Sequence, residues 1–98
     1  MAELLTSKDF APWLRTTFRV EHPAAIDLEL TEVRDQSNAQ LEQFSLTFAG
    51  ALSPWLPQGT YALQHPQREE ELWLFLVPLG PRDERMIYEA VFTRLVAG

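Results

Sequence analysis

Residues 44–48 read FSLTF, a stretch in which apolar and polar side chains alternate at every position. Successive side chains of a β-strand point to opposite faces, so this alternation is typical of a strand with one buried face. The residues expected on that face are Phe44, Leu46 and Phe48. The same alternation occurs at residues 18–20 and in the sequence IDLEL at residues 26–30, which predicts a sheet of half-buried strands.

The alternation is interrupted after Leu30, where Val33 rather than Glu32 is the next apolar residue. A shift of one residue sends every later side chain to the opposite face, unless an extra residue bulges out of the ladder. We therefore predict a β-bulge or a sharp twist at this point. The polar residues 34–40 that follow are expected to form a surface loop.

Further strands are predicted at residues 60–65, 72–77 and 86–96, which are separated by short, mostly polar links that contain proline. Residues 72–77 are apolar at every position, which is typical of a strand that is covered on both faces. Residues 50–59 are expected to form a structured loop whose apolar side chains pack against the end of the sheet. Those side chains are Leu52, Trp55 and Leu56.

The last predicted strand carries one carboxylate, Glu89, inside an otherwise apolar run. Side chains of alternating residues share a face, and we expect the more apolar face to be buried. The residues on that face are Tyr88, Ala90 and Phe92. Glu89 should therefore point outward, beside Arg19 or Arg94.

One short helix is expected near the N-terminus. Thr6 and Ser7 can cap its start, and Pro12 limits it to one or two turns that end near Arg15. The apolar stripe of this helix is formed by Phe10, Trp13 and Leu14. The fold class that we predict is mainly β, with about six antiparallel strands in a curled, barrel-like sheet preceded by this helix.

The chain has 98 residues, of which 14 are acidic and 8 are basic, so its formal net charge is −6. This length predicts a single domain over residues 1–98. The negative charge disfavours binding to nucleic acid or to an anionic membrane surface. Glu3 stands where a signal peptide would carry positive charge, and the apolar run there ends after Leu4 and Leu5. No apolar run approaches the roughly 20 residues of a membrane-spanning helix. We therefore expect a soluble, cytoplasmic protein.

Little in the sequence favours catalysis. There is no cysteine, and the two histidines, His22 and His65, lie in no recognisable metal-ligand spacing. No serine lies in the G-x-S-x-G sequence of a nucleophile elbow. We therefore expect no bound metal, no cofactor and no enzymatic activity.

Three polar residues near one predicted strand are weak candidates for a ligand site. Gln58, Tyr61 and His65 are close in sequence, and the last two share strand parity, so together they could orient a polar ligand. The alternative is structural: Gln58 and Gly59 form a turn, Tyr61 packs, and His65 ends the strand. We favour the structural interpretation, because a histidine at a strand end needs no chemical role.

Four sequence blocks carry a resemblance to a family: FSLTFAG at residues 44–50, QGTYALQH at 58–65, LFLVP at 74–78 and YEAVF at 88–92. In this order they are similar to an uncharacterised family of small bacterial proteins of comparable length, classed as a domain of unknown function. The segments DFAPWLRTTFRV and IDLELTEV extend the resemblance over nearly the whole chain. The resemblance implies no activity, but it implies an association with phage-tail-like proteins.

The aromatic residues Trp55, Trp73 and Phe75 are the candidate contacts with a partner or a ligand. Residues 72–77 have no polar face, so they must be covered internally, by self-association or by a partner protein. We therefore predict a non-enzymatic structural or protein-interaction module. The alternative is a β-barrel that binds a small apolar ligand among its aromatic side chains.

Overall fold

The computed structural model describes residues 5–95. Within this range the chain forms a short helix, α1, at Ser7–Phe10, followed by a 3₁₀ turn at Ala11–Trp13. Six strands follow: β1 Thr17–Val20, β2 Ile26–Asp35, β3 Leu41–Gly50, β4 Gly59–Gln64, β5 Leu72–Arg82 and β6 Arg85–Leu95. The predicted end of the last strand at residue 96, and residues 1–4 of the segment searched for a signal peptide, lie outside the described residues.

The six strands form a closed barrel with the order β1-β2-β3-β6-β5-β4, and every pair of neighbours is antiparallel. The barrel closes where β1 meets β4, in a short ladder that pairs Arg19 with Gln64 and Val20 with Leu63. The predicted fold class is therefore confirmed: a mainly β, six-stranded barrel with one short N-terminal helix. No helix within residues 5–95 has the length and apolar character needed to cross a membrane.

The predicted β-bulge lies where the alternation of β2 is interrupted. The ladder to β3 pairs Leu30 with Phe48 and then Glu32 with Thr47, so Thr31 is the extra residue. The hydroxyl of Thr31 donates a hydrogen bond to the backbone oxygen of Thr47 at 3.2 Å. The bulge allows β2 to keep its apolar side chains inside the barrel on one side of the interruption and to bring Val33 against the core on the other.

The barrel interior is filled by the inward faces of the strands. Of the side chains predicted to point inward, Phe44, Leu46, Phe48 and Tyr88 are buried. Phe92 is partly buried, and its ring stacks on the ring of Phe44 at a centroid distance of 4.5 Å. The alternation of the sequence thus correctly predicts which face of each of these strands forms the core.

The N-terminal helix covers one end of the barrel. Its start is fixed by Asp9, whose carboxylate accepts a hydrogen bond from the backbone N–H of Thr6 at 2.7 Å. Phe10 is fully buried and contacts the rings of Phe44 and Phe92, at 6.0 and 5.8 Å between centroids. Phe10 therefore belongs to the core and Trp13 packs against it, as predicted. The prediction that Leu14 completes the buried stripe is wrong, because the helical turns end at Trp13 and Leu14 is exposed.

The loop between β3 and β4 packs at the barrel through a single apolar residue. Leu56 is buried, and its backbone N–H donates a hydrogen bond to the hydroxyl of the buried Tyr88 at 2.8 Å. The prediction that Leu52 and Trp55 also tuck against the sheet is wrong, since both are exposed. The loop is held at Leu56, and its other large side chains extend into solvent.

The expectation that residues 72–77 are covered on both faces within the chain itself is wrong. Leu72, Leu74 and Leu76 point into the barrel and are buried, whereas Trp73 and Phe75 point outward and are exposed. The N-terminal helix packs on the inner rings, and the β3–β4 loop packs through Leu56, so neither covers the outer side of this strand. The outer face of β5 is therefore apolar and exposed.

Glu89 points outward as predicted, but the prediction that it lies beside Arg19 or Arg94 is wrong. It lies opposite Val77 on β5. Arg19 forms ion pairs with Glu21 and Asp27, and Arg94 pairs with Glu42. The carboxylate of Glu89 thus lies beside an apolar strand rather than beside a cation.

Candidate recognition surface

Two aromatic side chains stand side by side on the outer face of β5. Trp73 is 68% exposed and lies opposite Ala62 of β4, and Phe75 is 51% exposed and lies opposite Thr60. The side chains of Ala62 and Thr60 are too small to cover the indole of Trp73 and the phenyl ring of Phe75. We refer to Trp73, Phe75, Thr60 and Ala62 as the aromatic face.

The apolar surface continues from the aromatic face towards β6. Val77 follows Phe75 on the same side of β5 and is paired with Glu89. Val91 lies two residues beyond Glu89, on the same side of β6, and is 54% exposed. Because diagonal neighbours in a sheet lie about 7–8 Å apart, Val77 and Val91 extend the surface across two strands.

A pocket of about 420 Å³ borders the aromatic face on its other side. It arises because β1 pairs with β4 only at Leu63 and Gln64, and the chain then turns away through residues 21–25. Residues 60–62 of β4 therefore have no strand beside them on that side. The pocket, which we call the Trp73 pocket, is lined by Glu21, His22, Pro23, Thr60, Tyr61, Ala62, Glu71 and Trp73.

A second depression of about 620 Å³ lies next to the Trp73 pocket, and Glu71 lines both. Its remaining lining comes from β1, β2 and β4 and from the β4–β5 loop, which carries Arg68 as well as Glu69 and Glu70. Arg19 lies in this groove, and its guanidinium reaches Glu21 and Asp27, each at 3.2 Å. This groove and the pocket thus form one continuous, mostly acidic border to the aromatic face.

His65 is buried and held by two hydrogen bonds. Its Nδ1 accepts a hydrogen bond from the backbone N–H of Gln67 at 3.1 Å, so its Nε2 carries the proton and donates to the hydroxyl of Thr16 at 2.9 Å. Its ring packs against Phe18 and Trp13, with centroids 4.6 and 5.2 Å away. Burial, together with the nearby positive charge of Arg68, lowers the pKa of His65 below its usual value.

The three polar candidates do not converge on one point. The hydroxyl of Tyr61 donates to the backbone oxygen of Pro57 at 2.5 Å, and Gln58 is exposed. Tyr61 and His65 are four residues apart along the strand direction, which separates them by about 13 Å. Both nitrogens of His65 are already occupied. This arrangement supports the structural interpretation of all three residues.

Trp55 lies on the loop between β3 and β4 and not on β5. It is 50% exposed in the β3–β4 loop. Trp73 and Phe75 both lie on β5 and point to its outer side, so these two of the three aromatic candidates share one face of a strand.

The sequence reasoning missed the residues that make the Trp73 pocket. Glu21, His22 and Pro23 end β1 abruptly, and they face β4 only because the barrel closes. The sequence did contain a signal for the early end of β1. Pro23 follows the short alternating stretch at residues 18–20, and proline has no N–H to continue the hydrogen-bonded ladder. Within residues 5–95, no group of three or more histidine, aspartate or glutamate side chains is arranged to hold a metal ion.

Comparison with known proteins gives one match. The model of a family described as a domain of unknown function, DUF6916, matches residues 5–92. No curated protein matches the chain. No solved structure matches it either. The match covers all of the aromatic face and the Trp73 pocket, and it brings no activity with it.

Proposed function

Because the chain belongs to DUF6916, a family of unknown function, we propose its function from the geometry of its surface: it is a non-enzymatic module that docks to a partner protein through the aromatic face. The observation that carries this proposal is the exposure of Trp73 and Phe75 side by side on a rigid strand. Tryptophan and other aromatic residues dominate the energetically important centres of protein interfaces. A β-strand also fixes the backbone of both residues, so little backbone entropy is lost on binding.

The filling of the barrel favours docking over the alternative of a small-ligand barrel. The interior is occupied by large side chains that are almost completely buried, among them Phe18, Phe48 and Tyr88. A barrel of six strands encloses a small volume, and aromatic side chains of this number leave little of it for a ligand. On the outside of the barrel, the outer face of β5 presents accessible apolar surface at Trp73 and Phe75.

The partner is proposed to be a protein. Carboxylates border the aromatic face at Glu71, Glu21 and Glu89, which disfavours nucleic acid and anionic lipid as partners. A phage-tail-like protein is the partner class that the resemblance of the sequence blocks implies, and the cytoplasm is the compartment in which we propose that they meet. Self-association through the same face is the competing outcome, and it is measurable.

The surroundings of His65, the candidate best suited to acid–base chemistry, support a non-enzymatic role. His65 uses both ring nitrogens within the fold, and its neighbours are aromatic rings and a threonine hydroxyl. General acid–base catalysis needs a side chain that reaches the substrate proton. His65 therefore acts as a structural element that joins β4 to the segment before β1.

The test replaces each aromatic residue separately with serine. We expect Trp73→Ser and Phe75→Ser to abolish co-purification of the partner without lowering the thermal unfolding temperature. A change of oligomeric state measured by light scattering would instead assign the aromatic face to self-association. Trp55→Ser is the matched control, because Trp55 is also half exposed but lies on the loop. If the two strand variants behave as wild type, or if only Trp55→Ser loses the partner, docking through the aromatic face is refuted.

A further inference from the structure

We propose that the Trp73 pocket binds an arginine side chain of the partner protein. This inference rests on the proposed docking function and adds the chemistry that the partner must present. The pocket opens directly beside the aromatic face, because Trp73 belongs to both. A partner seated on Trp73 and Phe75 can therefore extend one side chain into the pocket.

The shape of the pocket fits a long side chain with a flat end. Its volume is about 420 Å³, and the inner boundary is formed by residues 60–62 of β4, where no strand pairs on the side of β1. The exposed indole of Trp73 forms one wall, and residues 21–23 face it. An arginine places its alkyl chain against such apolar walls and its guanidinium at the polar rim.

The charge at the rim of the pocket is negative. Two carboxylates, those of Glu21 and Glu71, line the pocket. Glu21 is paired with Arg19 of the neighbouring groove at 3.2 Å, and Glu71 accepts a hydrogen bond from the amide of Gln64 at 3.2 Å. Within residues 5–95, none of the ion pairs involves Glu71. The rim thus favours a cation from outside the chain.

An indole beside carboxylates is suited to arginine in particular. The planar guanidinium stacks on an indole face and donates hydrogen bonds from its edge, so it can contact Trp73 and Glu71 at the same time. The chain contains an internal example of this pairing, since the guanidinium carbon of Arg68 lies 5.8 Å from the centroid of the Trp13 ring. The net charge of −6 also attracts a basic partner over a longer range.

The experiment is an NMR titration of the ¹⁵N-labelled protein with the peptide acetyl-Val-Arg-Val-amide. The control peptide has citrulline in place of arginine, which keeps the planar shape and three of the five N–H donors but replaces one NH2 group with a carbonyl oxygen and removes the charge. Three indole N–H signals are expected, and Trp73→Phe assigns the one from Trp73. We expect the arginine peptide to shift the Trp73 signal at millimolar concentration, and to bind about tenfold more tightly than the citrulline peptide.

Two variants that each replace one glutamate show which carboxylate the arginine peptide contacts. Glu71→Gln should weaken binding of the arginine peptide about fivefold and leave the citrulline peptide unchanged. Glu69→Gln is the matched control, because Glu69 lines the neighbouring groove but not the Trp73 pocket. An effect of Glu69→Gln equal to that of Glu71→Gln would mean that only the overall charge matters, and it would overturn the assignment to this pocket.

Equal binding of the two peptides, or no shift of the Trp73 signal with the arginine peptide, also overturns the inference. Either result leaves the docking proposal intact if Trp73→Ser and Phe75→Ser still lose the partner. Conversely, the arginine peptide could bind while both serine variants still co-purify the partner. That result would support arginine binding in the Trp73 pocket and refute docking through the aromatic face. The two proposals therefore fail separately.

Discussion

Replacement of Leu46 by alanine tests whether the inner face of β3 is the centre of the barrel. Leu46 is fully buried, and its cross-strand neighbours are Val33 on β2 and Ala90 on β6. The substitution removes three carbons, which is worth about 2.4 kcal/mol of transfer free energy at about 0.8 kcal/mol per methylene. Ala90 is too small to fill the space that is left, so the cavity persists and brings the expected loss of unfolding free energy to about 3–4 kcal/mol.

The assay is equilibrium unfolding in urea, with tryptophan fluorescence and circular dichroism followed on the same samples. The matched control is Val91→Ala on the adjacent strand, because Val91 is 54% exposed and should lose less than about 1 kcal/mol. Coincident transitions by the two probes are needed for a two-state analysis. A loss for Leu46→Ala no larger than that of the control would refute the inward orientation of this face.

Two further predictions concern buried polar groups. Tyr88→Phe removes the acceptor of the Leu56 N–H, and it should cost about 1–3 kcal/mol of unfolding free energy in urea; no loss would show that the loop is not anchored there. The pKa of His65 is lowered in the folded protein, so the unfolded chain binds more protons just below pH 6.5. The unfolding free energy should therefore fall as the pH drops through 6.5. His65→Gln should reduce this fall and His22→Gln should not, and equal pH dependence of the unfolding free energy in the wild type and both variants would contradict this.

Much of the fold can be predicted from the sequence, because the features that determine it are local. The alternation at residues 44–48 predicts a strand whose inward side chains match those found, and the interruption between Leu30 and Val33 predicts the bulge at Thr31. Thr6 and Asp9 start the helix with contacts only three residues apart. In each case the physical cause lies within a few residues of its effect.

The candidate surface could be predicted only in part, because its geometry depends on long-range pairing. Residues 72–77 show apolar side chains at both parities, but nothing local says whether another element covers the outer side. The pairing of Trp73 with Ala62 exposes the indole, and the early end of β1 opens the pocket beside it. Both depend on how the barrel closes, and this is decided between residues far apart in the chain.

Site-specific photocrosslinking shows whether a partner protein docks on the aromatic face. A benzophenone side chain is introduced at Phe75, and in a control protein at Arg34, whose exposed side chain lies on β2, three strands away around the barrel. Both proteins are irradiated in an extract of the source organism. We expect a single crosslinked species from position 75 that excess wild-type protein suppresses and excess Trp73→Ser protein does not, with none from position 34. Equal crosslinking from both positions, or none from position 75, would contradict docking on the aromatic face.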